Sequence, residues 1–179
     1  LLSVRSTLVT AVSIPLSLLV TFIGLLAFGY SLNILTLGAL TIAIGRVVDD
    51  SIVVIENIKR HLGYGEEKRT AILTAIREVA GAVTASTLTT VAVFAPIVFV
   101  GGLAGELFRP FAVTTSLALL ASLLVSLTIV PVLAYWFLKS SKPVSDPDAY
   151  RAEAEAREEK TFLQRGYLPI LRGTQSHPV

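Results

Sequence analysis

The sequence predicts an all-α, polytopic membrane protein: four transmembrane helices followed by a cytoplasmic amphipathic helix. Two observations carry that reading. Of 179 residues, 53% are hydrophobic and only 16% charged, where a soluble domain devotes about a quarter of its residues to charge; the mean hydropathy is +0.72. The charges are also segregated: residues 6 to 45, 79 to 105 and 110 to 138 contain none, and each stretch exceeds the roughly 18 apolar residues of a membrane span. A soluble enzyme with an ordinary polar surface is excluded.

The first span is predicted at about residues 7 to 28, with Pro15 expected to bend it. Gly29-Tyr30-Ser31-Leu32-Asn33 is a tight connection in which Gly29 ends one helix and Asn33 caps the next. A second span, about residues 34 to 58, returns antiparallel and closes on Lys59, Arg60 and His61. Gly63 and Gly65 break it, and Glu66 and Glu67 suit the positive N-terminal end of a new helix. Ile72, Ala75, Ile76 and Val79 follow at helical spacing, so residues 66 to 78 read as an amphipathic approach along the interface. It leads into a third span at about residues 79 to 100, with Pro96 in its last turn. Residues 101 to 105 form a flexible glycine-rich turn, Glu106 and Arg109 a solvated pair, and the fourth span runs from about residue 111 to 138. Tyr135 and Trp136 fall near its end, where aromatic rings favour the interface.

Residues 1 to 138 are thus the transmembrane unit, and residues 139 to 179 a cytoplasmic linker with an amphipathic helix. In the latter, Asp146-Pro147-Asp148 offers an N-cap and a helix-starting proline, and Phe162, Leu163, Tyr167, Leu168, Ile170 and Leu171 suit a membrane surface. Lysine and arginine concentrate at Arg5, residues 59 to 77, and Lys139 with Lys142, which places both termini in the cytoplasm. No segment resembles a cleavable signal peptide. The net charge of +2 is scattered along block edges and offers no face for nucleic acid. The lack of cysteine removes disulfides, thiol catalysis and thiolate metal sites. The chain opens Leu1-Leu2-Ser3 and contains no methionine, so it is expected to be a piece of a longer polypeptide.

The candidate site lies near the middle of the second span, in Gly45-Arg46-Val47-Val48-Asp49-Asp50. Each charge at a bilayer centre costs on the order of 2.5 to 3.5 kcal/mol on insertion scales, and intramembrane ionisable residues are functional by default. Arg46 stands one helical turn from both carboxylates, at i−3 from Asp49 and i−4 from Asp50. One arginine cannot neutralise two aspartates, so the surplus carboxylate needs a partner on another helix, a bound cation or a proton. Burial and a like-charged neighbour favour the protonated form while Arg46 favours the ionised one, so a pair near balance can load and release protons. The bland alternative is that the three groups merely satisfy one another or glue helices together.

Two other uses of the pair are weaker. An intramembrane aspartyl protease needs carboxylates converging from different helices, whereas adjacent residues on one helix diverge by about 100°. A cation site needs several oxygen ligands, and Ser51, Thr41 and Thr36 are a thin supply. The remaining polar residues read as structural: Glu56 and Asn57 facing headgroups or the loop, Thr84, Ser86, Thr87, Thr89 and Thr90 bonding back to their own helix or packing on a neighbour, and His61 and His177 without a metal partner.

The run Ala43-Ile44-Gly45-Arg46-Val47-Val48-Asp49-Asp50-Ser51-Ile52-Val53-Val54-Ile55-Glu56-Asn57-Ile58 resembles the fourth transmembrane helix of resistance-nodulation-cell division transporters, most closely the acriflavine-resistance, hydrophobe/amphiphile efflux branch. The resemblance extends through Phe94-Ala95-Pro96, Gly101-Gly102, residues 105 to 111 and Pro131, and covers nearly all of residues 5 to 138. It implies that the four spans are helices three to six of a twelve-helix protomer of a cell-membrane, proton-driven antiporter. Such a protomer is usually part of a homotrimer and can work with an adaptor and an outer-membrane channel. It implies that Asp49 and Asp50 are the paired proton-relay aspartates, exchanging protonation against a lysine in the second half of the protein. No cofactor beyond the coupling proton, and no enzymatic activity, is implied. Residues 1 to 179 contain neither that lysine nor the large extracytoplasmic domains, so the chain alone should transport nothing. Arg46 departs from the best-known members, which are apolar there, and resembles the version in some Gram-positive relatives. That leaves the charge balance open, including a division in which Asp49 stays ionised while Asp50 cycles. The competing functions are a protein- or lipid-export subunit on the same scaffold, and a sterol-sensing-like regulatory domain without ion coupling.

Overall fold

A computed structural model describes residues 4 to 139, and these form four α-helices: α1 Val4–Ala27, α2 Ile34–Gly63, α3 Lys68–Val98 and α4 Gly102–Phe137. The expected amphipathic helix after residue 139 lies outside the described residues. At 1.5 Å per residue even α1, with 24 residues, reaches the roughly 30 Å of a hydrocarbon core. Among the described residues, α1, α3 and α4 are long and apolar enough to cross a membrane. The expected second span, α2, has the length, at 30 residues, but carries charges that the others lack within their apolar stretches.

Three helix ends differ from the sequence expectation. α2 continues past residue 58 to Gly63, and α3 takes in the stretch expected to lie along the interface as one unbroken helix of 31 residues. The buried faces explain both extensions: Ile58 and Leu62 on α2 pack with Ala71, Ile72 and Ala75 on α3 in a single core cluster. Apolar burial of that face favours continuing the helices over breaking them. α4 begins at Gly102, so the glycine-rich stretch is mostly helical and the connection shrinks to residues 99 to 101. Gly102 makes this possible with φ +68, a conformation open to glycine at little cost. Gly105 then packs so tightly that a Cβ there would stand 1.9 Å from the Val100 carbonyl oxygen.

Helix α4 is the centre of the bundle and touches all three others, most extensively α2. Many of its buried residues are small, with Gly105, Ala112, Ala118, Ala121, Ser122, Ser126 and Ala134 among them, which lets neighbouring backbones approach closely. Large apolar residues point outward instead, including Leu19, Ile23, Leu26, Val93 and Leu124. Several buried hydroxyls bond back to the preceding turn: Thr21 donates to the Ser17 carbonyl at 2.7 Å and Thr115 to that of Phe111 at 2.9 Å. Polar atoms inside and apolar side chains outside are the pattern a lipid solvent selects.

Candidate functional site

Helix α2 is capped at its first turn. The Asn33 side-chain oxygen accepts from the amides of Leu35 and Thr36 at 2.9 and 3.0 Å, and the Asn33 amide donates to the Thr36 hydroxyl at 2.7 Å. This reciprocal cap fixes where the helix begins, and the burial of Ala43, Val47, Val54 and Ile58 decides which residues face the neighbouring helices. Val47 and Val54, one turn to either side of Asp50, are essentially fully buried, and Asp50 itself is only 5% exposed.

The Asp50 carboxylate receives a hydrogen bond at 2.9 Å from the hydroxyl of Ser122 on α4. Its other oxygen lies 3.8 Å from Nε of Arg46, one turn back on α2. The guanidinium reaches on to donate to the Ser86 hydroxyl on α3. Four side chains from three helices therefore meet at one level, linking α3, α2 and α4 through the carboxylate. Asp49 is exposed and points off the bundle, as the 100° step between consecutive helical residues requires. Of the two ion pairs that spacing allowed to Arg46, the described residues show the one to Asp50. On the next residue, Ser51 meets Ser13 of α1 at 2.8 Å, and since Ser13 donates its single proton to the Thr10 carbonyl at 2.7 Å, Ser51 is the donor.

Chemically, this arrangement gives one carboxylate a buried, hydrogen-bonded position and its neighbour an open face. An ionised Asp50 accepts from Ser122 and attracts Arg46; a protonated Asp50 becomes a donor and releases that attraction. A proton on this group would therefore alter its bond to Ser122 on α4 and free Arg46, which bonds Ser86 on α3.

The amino-acid order did not reveal Ser122 or Ser86 as partners, since they lie 72 and 40 residues from the groups they contact. Three polar expectations are also corrected. Asn57, expected among headgroups, is buried and donates to the Ala75 carbonyl at 2.8 Å and to Glu78 at 3.0 Å. His61, expected at the polar close of the second span, is buried and lies 2.9 Å from Glu78 and 3.5 Å from Glu66. Arg60 adds two bonds to Glu78, at 2.7 and 2.9 Å. Because α2 persists to Gly63, residues 57, 60 and 61 share the face turned to α3, which their i, i+3, i+4 spacing signals once helicity is granted. Glu56, by contrast, is exposed and pairs with Lys59 at 3.1 Å. Arg109 does not pair with Glu106 but donates to the carbonyls of Val98 and Val100 at 2.9 and 3.2 Å, satisfying acceptors left open at the end of α3. Thr89 and Thr90 bond back to α3 itself, as expected. Among the described residues no group of three or more His, Asp or Glu side chains is placed to hold a metal.

Comparisons with known proteins place the chain in a family. The sequence model of the AcrB/AcrD/AcrF family matches residues 1–178. The chain belongs to that family. Over 173 residues it is 49% identical to multidrug resistance protein MdtC of Citrobacter koseri and 48% identical to that of Salmonella newport. Each alignment covers 97% of this chain and 16% of the relative, so the chain spans about a sixth of those proteins. With family membership and three apolar spanning helices, this is a stretch of a multi-pass membrane protein of the resistance-nodulation-cell division class.

Proposed function

We propose that residues 4 to 139 carry the proton-relay portion of a proton-driven multidrug or amphiphile efflux antiporter, with Asp49 and Asp50 as the relay and Arg46 as the charge partner of Asp50. One observation carries this reading: a carboxylate almost completely buried at mid-span, held by Ser122 and Arg46 from two directions. A merely structural use would be expected to satisfy both acids inside the bundle, yet Asp49 faces outward. The naming of the relatives as multidrug resistance proteins supports efflux as the activity.

In this mechanism the outward face of α2 meets the rest of the transporter, and Asp49 finds its cation there, a lysine of the second half by family resemblance. Protonation of the acidic pair loosens that pairing, and the altered packing of α2 against its neighbours drives remote substrate sites through alternate states. Moving one charge through 100 mV is worth about 2.3 kcal/mol, enough to bias such an equilibrium. The complete protein sits in the inner or plasma membrane with the ends of this stretch on the cytoplasmic side, as a homotrimer able to engage an adaptor and an outer-membrane channel. It uses no cofactor beyond the coupling proton and performs no enzymatic step. Residues 1 to 179 alone transport nothing.

The test is Asp50→Asn in the complete transporter, a near-isosteric change that keeps an acceptor for Ser122 and removes the titrating proton. Proton-coupled efflux in vesicles should be lost while the protein still assembles. Ser51→Ala, one residue along, removes only a hydroxyl pair and should transport normally. Drug resistance at wild-type level in the Asp50→Asn strain refutes the assignment.

A further inference from the structure

The basic end of the bundle, where α2 ends and α3 begins, has an uneven charge distribution. Every described glutamate there has a partner within the bundle: Glu56 with Lys59, Glu66 with His61, Glu67 with the Thr70 hydroxyl, and Glu78 with Asn57, Arg60 and His61. Lys68, Arg69 and Lys139 have no acidic partner among the described residues. Lys68 lies instead over the ring of Tyr135 near the end of α4, 5.1 Å from its centroid. Trp136 and Phe137 follow it, 70% and 44% exposed, and Lys139 comes next, also exposed.

We propose that this corner, formed by Lys68 and Arg69 at the start of α3 and by Tyr135, Trp136 and Lys139 at the end of α4, binds the phosphate of an anionic phospholipid in the adjoining leaflet. The chemistry is complementary on each side. A lysine ammonium has three donors and no acceptor; the aromatic face engages it from one side by its quadrupole and leaves donors free for phosphate oxygens. Lys139, just beyond the helix end, supplies a second cation. Trp136 and Phe137 give the glycerol and upper acyl region an amphipathic wall at the depth where such rings settle. With the local glutamates already engaged, the surplus positive charge selects a lipid of net negative charge over a zwitterionic one, whose own ammonium would meet these cations. An acidic stretch of the same chain, which includes Asp146, Asp148, Glu153, Glu155, Glu158 and Glu159, has the charge to compete. It offers no reason for exposed indole and phenyl rings beside the cations, and the lipid does.

The experiment uses the complete transporter, purified and delipidated, titrated with brominated phosphatidylglycerol or brominated phosphatidylcholine in mixed micelles. The quenching signal of Trp136, the single tryptophan of this sequence, is isolated by difference from the Trp136→Phe variant. Phosphatidylglycerol should quench it at a lower mole fraction than phosphatidylcholine. A Lys68→Gln, Lys139→Gln double variant should need about 25-fold more phosphatidylglycerol, roughly five-fold for each cation near an anionic surface, and Lys68→Arg with Lys139→Arg should restore the preference. Equal quenching by the two lipids overturns the proposal, as does a double variant that behaves like wild type. A cross-link from position 68 to residues 146 to 159, without any preference between lipids, assigns the cations to the acidic stretch and also overturns it.

Discussion

Replacing Gly105 by alanine puts a methyl group where the Val100 carbonyl already stands. The added Cβ would lie 1.9 Å from that oxygen and 2.7 Å from its carbon. Ordinary contact begins near 3.4 Å, so the peptide must retreat by about 1.5 Å, and a backbone carbonyl cannot swing aside as the tip of a side chain can. Overpacking of this kind costs about 1 to 3 kcal/mol. The displaced oxygen is also an acceptor for Arg109; a bond to a charged donor is worth roughly 1.5 to 3 kcal/mol when sheltered, and the exposure of Arg109 reduces it to about 1 kcal/mol. The expected loss is therefore about 2 to 4 kcal/mol of local stability at the α3 to α4 connection. Hydrogen exchange by mass spectrometry on the complete transporter reads this directly, since local opening free energy sets amide protection. Peptides covering residues 99 to 109 should exchange about 30-fold to 700-fold faster in Gly105→Ala than in wild type, at a factor of ten per 1.4 kcal/mol. Gly101→Ala is the control: Gly101 has φ −93 and ψ 176, and nothing lies within 4 Å of the added carbon. Equal protection in wild type, Gly105→Ala and Gly101→Ala would refute the close approach on which the start of α4 depends.

Two further outcomes follow from the polar contacts of α2. Arg46→Leu, which removes the cation 3.8 Å from Asp50, should move the pH at which efflux is half-maximal, whereas Ser86→Ala, which removes only the bond between α2 and α3, should leave it in place; coincident pH profiles for Arg46→Leu and wild type would show that Arg46 does not act electrostatically on the pair. Glu78→Ala strips the shared acceptor of Asn57, Arg60 and His61 and leaves two buried side chains short of a partner, at a cost of about 1 to 3 kcal/mol. Limited proteolysis of the connection at residues 64 to 67 should accelerate accordingly, and an unchanged cleavage rate would show that the cluster does not hold the hairpin.

The four helices and the ionisable cluster were legible because both rest on signals local to the chain. Uncharged blocks longer than a bilayer leave few alternatives to helices, and charges interrupting such a block stand out whatever surrounds them. The helix ends were less legible because tertiary burial decides them. Residues 66 to 78 have an interfacial composition, yet Ala71, Ile72 and Ala75 are drawn into a core with Ile58 and Leu62, which keeps α3 straight through that region. Gly101 to Gly105 resembles a flexible turn, and the positive φ of Gly102 together with the close approach of Gly105 to Val100 makes the same glycines the start of a helix. Asn57 and His61 look like loop residues until Glu78, 21 and 17 residues away, is placed opposite them.

The asymmetry between the two aspartates is a consequence of helix geometry alone. Adjacent carboxylates on one helix cannot share an environment, because a 100° step carries one toward the bundle when it carries the other away. Here the burial of Val47 and Val54 sets the phase so that Asp50 takes the inward position, against Ser122 and Arg46, and Asp49 the outward one. A carboxylate left against hydrocarbon would cost on the order of 2.5 to 3.5 kcal/mol, and no described neighbour offsets that cost for Asp49. The outward face of α2 is therefore complete only when other protein covers it with a cation or a hydrogen-bond donor. Gly38 and Gly45, which lie on that same face with nothing within 4 Å of either, leave room for a backbone to come close. In the proposed relay, the inner acid would report its protonation to α3 and α4 and the outer one to whatever covers that face, so that two adjacent residues would connect both sides of α2 to a single proton-loading step.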